Sequence, residues 1–177
     1  MIIWARSSTD LWNNEIKGKE IMKNTLRLQR SGDLKKIKGY KEGAWWVQNL
    51  GAQIPVKLLG KIKNENILDL CAAPGGKTAQ LLCGGANVTA IDISKVRIRR
   101  LKENLERLRL KAELIHADIK KWTTSRLFDF IFLDAPCSAT GTIRRNPDVL
   151  IHKTYEDVQK LSIVQMEILQ KVSTLVR

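Results

Sequence analysis

The stretch richest in reactive groups runs from Asp69 to Thr78, Asp-Leu-Cys-Ala-Ala-Pro-Gly-Gly-Lys-Thr. It brings a carboxylate, a thiol, two glycines and a lysine into one short segment. Gly75 and Gly76 permit positive φ and let a ligand come close to the backbone. Pro74 does the reverse, fixing φ and removing a donor. A loop of this kind before a helix offers backbone N–H groups and a helix N-terminus to a ligand. It is also compatible with a strand-to-helix turn that binds nothing. Further along, Asp92, Asp118 and Asp134 each follow a short apolar run, and Asp134-Ala135-Pro136-Cys137 adds a second thiol.

The elements that position these groups follow from patterning. Ile67 to Leu70 reads as a strand buried on both faces, because such strands lose polar alternation. A helix starts near Lys77, carries Ala79, Leu81 and Leu82, and stops at Gly84-Gly85. Asn87 to Asp92 is a second strand. Ser94 caps a helix with Ile98, Leu101, Leu105 and Leu108 on one face. Its Arg97, Arg99, Arg100, Lys102, Arg107 and Arg109 read as solvated side chains. Ala112 to His116 and Phe128 to Leu133 are further strands, and Thr154 caps a last helix with Val158, Leu161, Ile168, Val172 and Leu175 at helical spacing. Alternating strands and helices predict an α/β domain with a doubly wound parallel sheet. The glycine loop and the three aspartates then share the edge where open α/β sheets bind ligands.

Before the loop the pattern is weaker. Thr25 to Leu28 alternates like a strand, and Ser31-Gly32-Asp33 signals a turn. Trp45-Trp46 beside glycines is a core anchor or a stacking platform. Leu50, Ile54 and Leu58 form a helical stripe, interrupted by Pro55, expected to pack in front of the glycine loop. The expected organisation is a partial N-terminal lobe over residues 1–38 and the main domain over 39–177.

Charge narrows the partners. The 177 residues carry a net +13. Residues 1–66 hold 13 Lys/Arg against 6 Asp/Glu, and residues 93–121 hold 10 against 4, with the remainder balanced. An excess concentrated in this way points to a polyanion such as nucleic acid. No apolar run approaches the roughly 18 residues of a membrane span. Three cysteines without paired spacing argue against a disulfide framework or a metal site and for a cytoplasmic setting.

Asp92 lies about 20 residues beyond the first turn, where a carboxylate can accept from ribose hydroxyls. The Gly-x-Gly-x-x-Gly pattern of dinucleotide sites is absent, so a single nucleoside fits better. The rival is a phosphate loop, since Gly76-Lys77-Thr78 matches the end of Gly-x-x-x-x-Gly-Lys-Thr. The first glycine of that pattern falls on Cys71, however, and Pro74 lacks an N–H the phosphate needs.

The segments Asp69 to Thr78 and Asp134-Ala135-Pro136-Cys137-Ser138-Ala139-Thr140-Gly141 resemble the two signature motifs of RsmB-type (Fmu/Sun) RNA methyltransferases, which make 5-methylcytosine in ribosomal RNA with S-adenosylmethionine. Gly39 to Gln48 and Arg144-Arg145-Asn146-Pro147-Asp148 are similar to the same family. The resemblance implies a Rossmann-like methyltransferase fold with an incomplete parallel sheet and a small N-terminal lobe. It implies that Cys71, Ala72, Ala73, Pro74, Gly75, Gly76 and Lys77 wrap the methionine part of the cofactor, that Asp92 holds the ribose, and that Asp118 lies on the adenine side. Asp134 would stand between cofactor and base as a catalytic group, with Cys137 as the Pro-Cys cysteine that assists release. Arg144, Arg145 and Lys77 would contact RNA. The family's nucleophile sits in a Thr-Cys pair that this sequence lacks, so the resemblance also implies truncation at both ends. A non-catalytic RNA-binding remnant and a phosphate-loop triphosphatase are the alternatives.

Overall fold

The computed structural model describes residues 1–6, 16–29 and 32–177. Ser31 of the expected turn lies outside the described residues. Two four-stranded sheets divide the chain. The first is antiparallel, built from β1 (Ile2–Ala5), β2 (Gly18–Met22), β3 (Thr25–Leu28) and β4 (Trp45–Val47) in the order β2-β3-β1-β4. The second is parallel, built from β5 (Asn66–Leu70), β6 (Asn87–Asp92), β7 (Glu113–His116) and β8 (Phe130–Leu133) in the order β7-β6-β5-β8.

The antiparallel sheet sends apolar side chains into a core on each face, and strand alternation decides which residue goes where. Ile3, Ala5, Leu26, Leu28 and Trp45 gather with Ile16 in one cluster. Trp4 and Trp46 point the other way into the core of the main domain, stacked at 4.5 Å between ring centroids. Both tandem tryptophans are therefore core residues, 0% and 5% exposed, which leaves no stacking platform at this position. Because β4 pairs with β1, the lobe's sheet runs through Val47, past the boundary expected at residue 38. A three-residue strand is too short for its periodicity to announce it. Gly43, at φ +69°, holds the connection against the main domain, where a Cβ would collide with the Arg107 carbonyl oxygen.

In the parallel sheet β5 is central, with β6 on one side and β8 on the other. Chain direction away from β5 reverses there, which opens a crevice at the carboxyl ends of β5 and β8. Ile67, Leu68 and Leu70 are fully buried, as a strand covered on both faces requires, and Asp69 is buried among them. Beside β8 the end of the chain begins to pair, with a parallel bridge between Phe128 and Val176.

Helix α1 (Leu50–Leu58) departs from expectation. Its Ile54 and Leu58 are exposed, and the buried face carries Gln53 and Val56. Polar bonding decides the orientation. Gln53 accepts from Thr25 Oγ1 at 2.6 Å and donates to the Gln48 carbonyl at 3.0 Å, and its own carbonyl accepts from Gln80 at 3.0 Å. A buried amide this well satisfied holds its face inward. Helix α2 spans Gly76–Cys83 and α3 spans Lys95–Arg107, the latter capped by Ser94. A short α4 (Val149–His152) precedes α5 (Tyr155–Val172), which Thr154 and Asp157 cap reciprocally. No helix among the described residues is long and apolar enough to cross a membrane.

Candidate active site

The glycine loop joins β5 to α2, and its neighbours hold it from several sides. Asp92, at the end of β6 and 1% exposed, accepts from the Ala73 N–H at 3.3 Å and the Ser94 N–H at 3.0 Å. Arg97 pairs with Asp92 at 3.3 Å and donates to the Ala73 carbonyl at 2.5 Å. Asn104 donates to the Pro74 carbonyl at 2.8 Å. Arg97 is therefore a strut between α3 and the loop rather than the solvated side chain that its helix position suggests.

The two glycines have different jobs. Gly75 adopts φ +98°, and a Cβ there would run into Leu101 Cδ1 of α3. Its lack of a side chain serves helix packing, and it lines neither cavity described next. Gly76 opens α2, where a Cβ would meet Gln48 and Trp46 at an ordinary 3.7 Å. No neighbour among the described residues demands glycine at that position. The N–H groups of the first helical turn have no intrahelical acceptors.

Two cavities meet at this edge. The smaller, about 170 Å³, is lined by Asp69, Cys71, Ala72, Ala73, Pro74, Gly76, Lys77 and Asp134, closed from the lobe side by Val47 and Gln48. The larger, about 330 Å³, takes Cys71, Asp92, Asp118, Asp134 and Cys137 at its polar rim, with Ile119, Val164 and Ile168 as apolar wall. Cys71 and Asp134 belong to both. Lys77 Nζ donates to Asp134 Oδ2 at 2.5 Å, across the crevice between β5 and β8. Gln165 of α5 donates to the Pro136 carbonyl at 2.7 Å and so holds the Pro-Cys turn. Arg144 and Arg145 stand exposed on a separate turn and line neither cavity.

Burial sorts the titratable groups. Asp69 is fully buried. Its Oδ2 accepts from Thr78 Oγ1 at 2.6 Å, while Oδ1 has no partner among the described residues. Burial pushes its carboxyl up to about 7, with the Thr78 hydrogen bond and Lys77 acting the other way. Burial, helped by the Asp92 charge, pushes the Cys71 thiol up to about 11. Cys71 is thus a neutral thiol at physiological pH and no nucleophile. The exposed Cys137 is the other thiol at this rim.

This geometry overturns the phosphate-loop alternative. The Thr78 hydroxyl, which would have to reach a magnesium ion, is 0% exposed and bonded to Asp69. Lys77, which would have to reach a phosphate, is engaged by Asp134.

Comparison with known proteins gives the family. The model of the 16S rRNA methyltransferase RsmB/F family matches residues 56–177, more than half of the chain. The chain belongs to the RsmB/F family. It is 45% identical over 154 residues to ribosomal RNA small subunit methyltransferase B of Proteus mirabilis, covering 84% of this chain and 36% of the relative. The Pseudomonas putida protein of the same name is 43% identical over 148 residues, covering 80% and 34%. The chain thus spans about a third of the length of these relatives. Among solved structures, a methyltransferase homolog from Pyrococcus horikoshii superposes with a TM-score of 0.82 at 27% identity, covering 99% of this chain and 60% of that one. NSun6 from the same organism, solved with SFG, gives 0.74 at 28% identity, covering 89% and 43%.

Within this RsmB/F domain, sequence reasoning missed the supports more than the rim. Asp69 read only as the start of a motif, although a carboxylate inside an apolar strand was itself a signal of a buried acid. Arg97, Asn104 and Gln165 bond backbone carbonyls distant in sequence, and nothing local to them announces it.

Proposed function

We propose that this RsmB/F domain binds S-adenosylmethionine and RNA as part of a cytosine carbon-5 methyltransferase acting on ribosomal RNA in the cytoplasm. The observation that carries the reading is the pair of cavities sharing Cys71 and Asp134 at the carboxyl ends of β5 and β8. The donor set fits the cofactor. The smaller cavity joins the first turn of α2 to the orphaned Asp69 oxygen, suited to a carboxylate and an ammonium respectively. The larger offers Asp92 and Asp118 for hydroxyl and amine donors beside an apolar wall, as a nucleoside needs. SFG, held by the NSun6 structure, is an analogue of that cofactor.

The bound cofactor supplies an electrophilic methyl group. The chain's own residues orient the partners. Asp134, shared by both cavities, is suited to hydrogen-bond a cytosine edge and stabilise the ring once a thiolate has added to carbon 6. Lys77 holds that carboxylate in place. Cys137 takes the part of the Pro-Cys cysteine, while attack on the base belongs, by family resemblance, to a Thr-Cys cysteine. Arg144 and Arg145 offer exposed guanidinium groups for phosphates.

Binding therefore tests these residues directly. By calorimetry, Asp118→Ala is expected to weaken S-adenosylmethionine binding about tenfold, the loss of one hydrogen bond to a charged acceptor. Arg144→Ala with Arg145→Ala should leave that affinity unchanged and weaken RNA binding. Absence of cofactor binding by the unaltered chain, or magnesium-dependent ATP binding in its place, would end the reading.

A further inference from the structure

A second polar feature lies at the other end of the molecule. Between the antiparallel lobe and the main domain runs a groove of about 830 Å³. Gly60 to Lys63, on its wall, lead into the start of β5, and Gly84 ends α2. The glycine loop is at the opposite end of β5, a strand of 5 residues that spans ~17 Å. The groove is remote from the cavities at the cofactor edge and shares no lining residue with them.

Its charged lining among the described residues has a single sign. Arg6, Lys23, Lys57, Lys61 and Lys63 all contribute, and no Asp or Glu among the described residues lines it. These five account for much of the basic excess of residues 1–66. They come from three places in the chain: the end of β1, the β2–β3 turn, and α1 with its exit. The fold gathers them. Lys57 Nζ donates to the Lys23 carbonyl at 2.8 Å, tying α1 to the turn, and Arg6 donates to the Leu108 carbonyl of the main domain. Burial and then the nearby Lys23 ammonium hold the Lys57 pKa below its usual range, with Glu20 acting the other way. Like charges held together at a joint, with no acid among the described residues of the wall, form a surface complementary to an extended anion.

We propose that this groove holds the phosphate backbone of the RNA, at a distance from the base being modified, as a sequence-independent positioning contact. The proposal rests on the RNA reading given above and adds where the strand runs. The lobe is then a clamp arm whose docking on the main domain builds half of the contact. Contacts of this kind leave a salt signature, because each neutralised phosphate releases counterions.

The test uses the full 177-residue chain and a fluorescent ribosomal RNA oligonucleotide, titrated across salt concentrations. The variant combines Lys23→Gln, Lys61→Gln and Lys63→Gln, all exposed side chains. A control removes the same charge from the exposed face of α3 with Lys95→Gln, Arg99→Gln and Lys102→Gln. The groove variant is expected to bind RNA about tenfold more weakly near physiological salt, with a log–log salt slope reduced by about 2–3. The control should lose less, and S-adenosylmethionine affinity should be unchanged in both, which reports an intact fold. Equal losses in groove variant and control, or an unchanged slope in the groove variant, overturn the proposal while leaving the RNA reading standing. Equal affinity of the unaltered chain for poly-glutamate and RNA assigns the groove to an acidic protein and also overturns it. If the unaltered chain binds no RNA at all, the underlying reading fails and the groove assignment with it.

Discussion

Gly75→Ala is expected to destabilise the folded chain by about 2–4 kcal/mol, among the largest effects of any single methyl group in this protein. Two costs add. An alanine at φ +98° occupies backbone space that side chains rarely visit, and its Cβ collides with Leu101, itself 0% exposed and unable to swing into solvent. The second cost can be isolated. In a Leu101→Ala background the clash is gone, so Gly75→Ala should cost only the conformational share, about 1–2 kcal/mol. Denaturant midpoints for the four proteins of this cycle measure the difference. Equal costs in both backgrounds would show that the loop does not rest on α3 as described. The functional corollary is that Gly75 serves the cofactor edge from behind, by seating the loop.

The pH dependence of stability should be dominated by Asp69. The folded state keeps its proton up to about pH 7, whereas the unfolded chain releases it near the ordinary 3.8. Folding therefore takes up a proton between those values. The neutral carboxyl's contribution is fully present below pH 4, falls as the pH rises through 7, and is absent above it. A shift of this size corresponds to about 4 kcal/mol. Asp69→Asn keeps the shape and an acceptor for the Thr78 hydroxyl but cannot ionise. Its stability, followed by urea unfolding from pH 4 to 9, should lack that decline, so the variant gains on the unaltered chain as the pH rises. Parallel profiles for the two proteins would mean that Asp69 is ionised in its strand and that a partner compensates it.

Much of the parallel sheet is legible in the sequence, for a physical reason. Ile67 to Leu70 and Val88 to Ile91 are mostly apolar because both faces are covered, with Asp69 and Thr89 as buried polar exceptions, and Ser94 and Thr154 mark helix starts by bonding backbone donors three residues on. The lobe is much less legible. Gly18–Met22 is a largely polar edge strand whose partner is set by pairing with Thr25–Leu28. Trp45–Val47 joins a sheet whose central strands lie far upstream. The face of α1 misleads because Gln53, a polar residue, is buried by three hydrogen bonds that no hydropathy pattern contains. At the candidate site the rim carboxylates could be picked out by their position after apolar runs. The struts behind them could not, since Arg97 looks like any other arginine on a basic helix. What separates it is one bond to Asp92 and one to the Ala73 carbonyl.

A larger cavity, about 840 Å³, lies at the amino ends of the parallel strands, crossed by the Glu113–Arg126 pair with bonds of 2.8 and 3.0 Å. It supplies the natural counter-site for a direct test of where the cofactor binds. Co-crystallisation with S-adenosylhomocysteine is that measurement. The nucleoside should occupy the cavity between Asp92, Asp118 and Ile168, with the amino-acid end reaching past Asp134 toward Asp69 and the first turn of α2. Density for the ligand at the Glu113–Arg126 cleft, with the glycine-loop edge empty, would contradict the account at its centre.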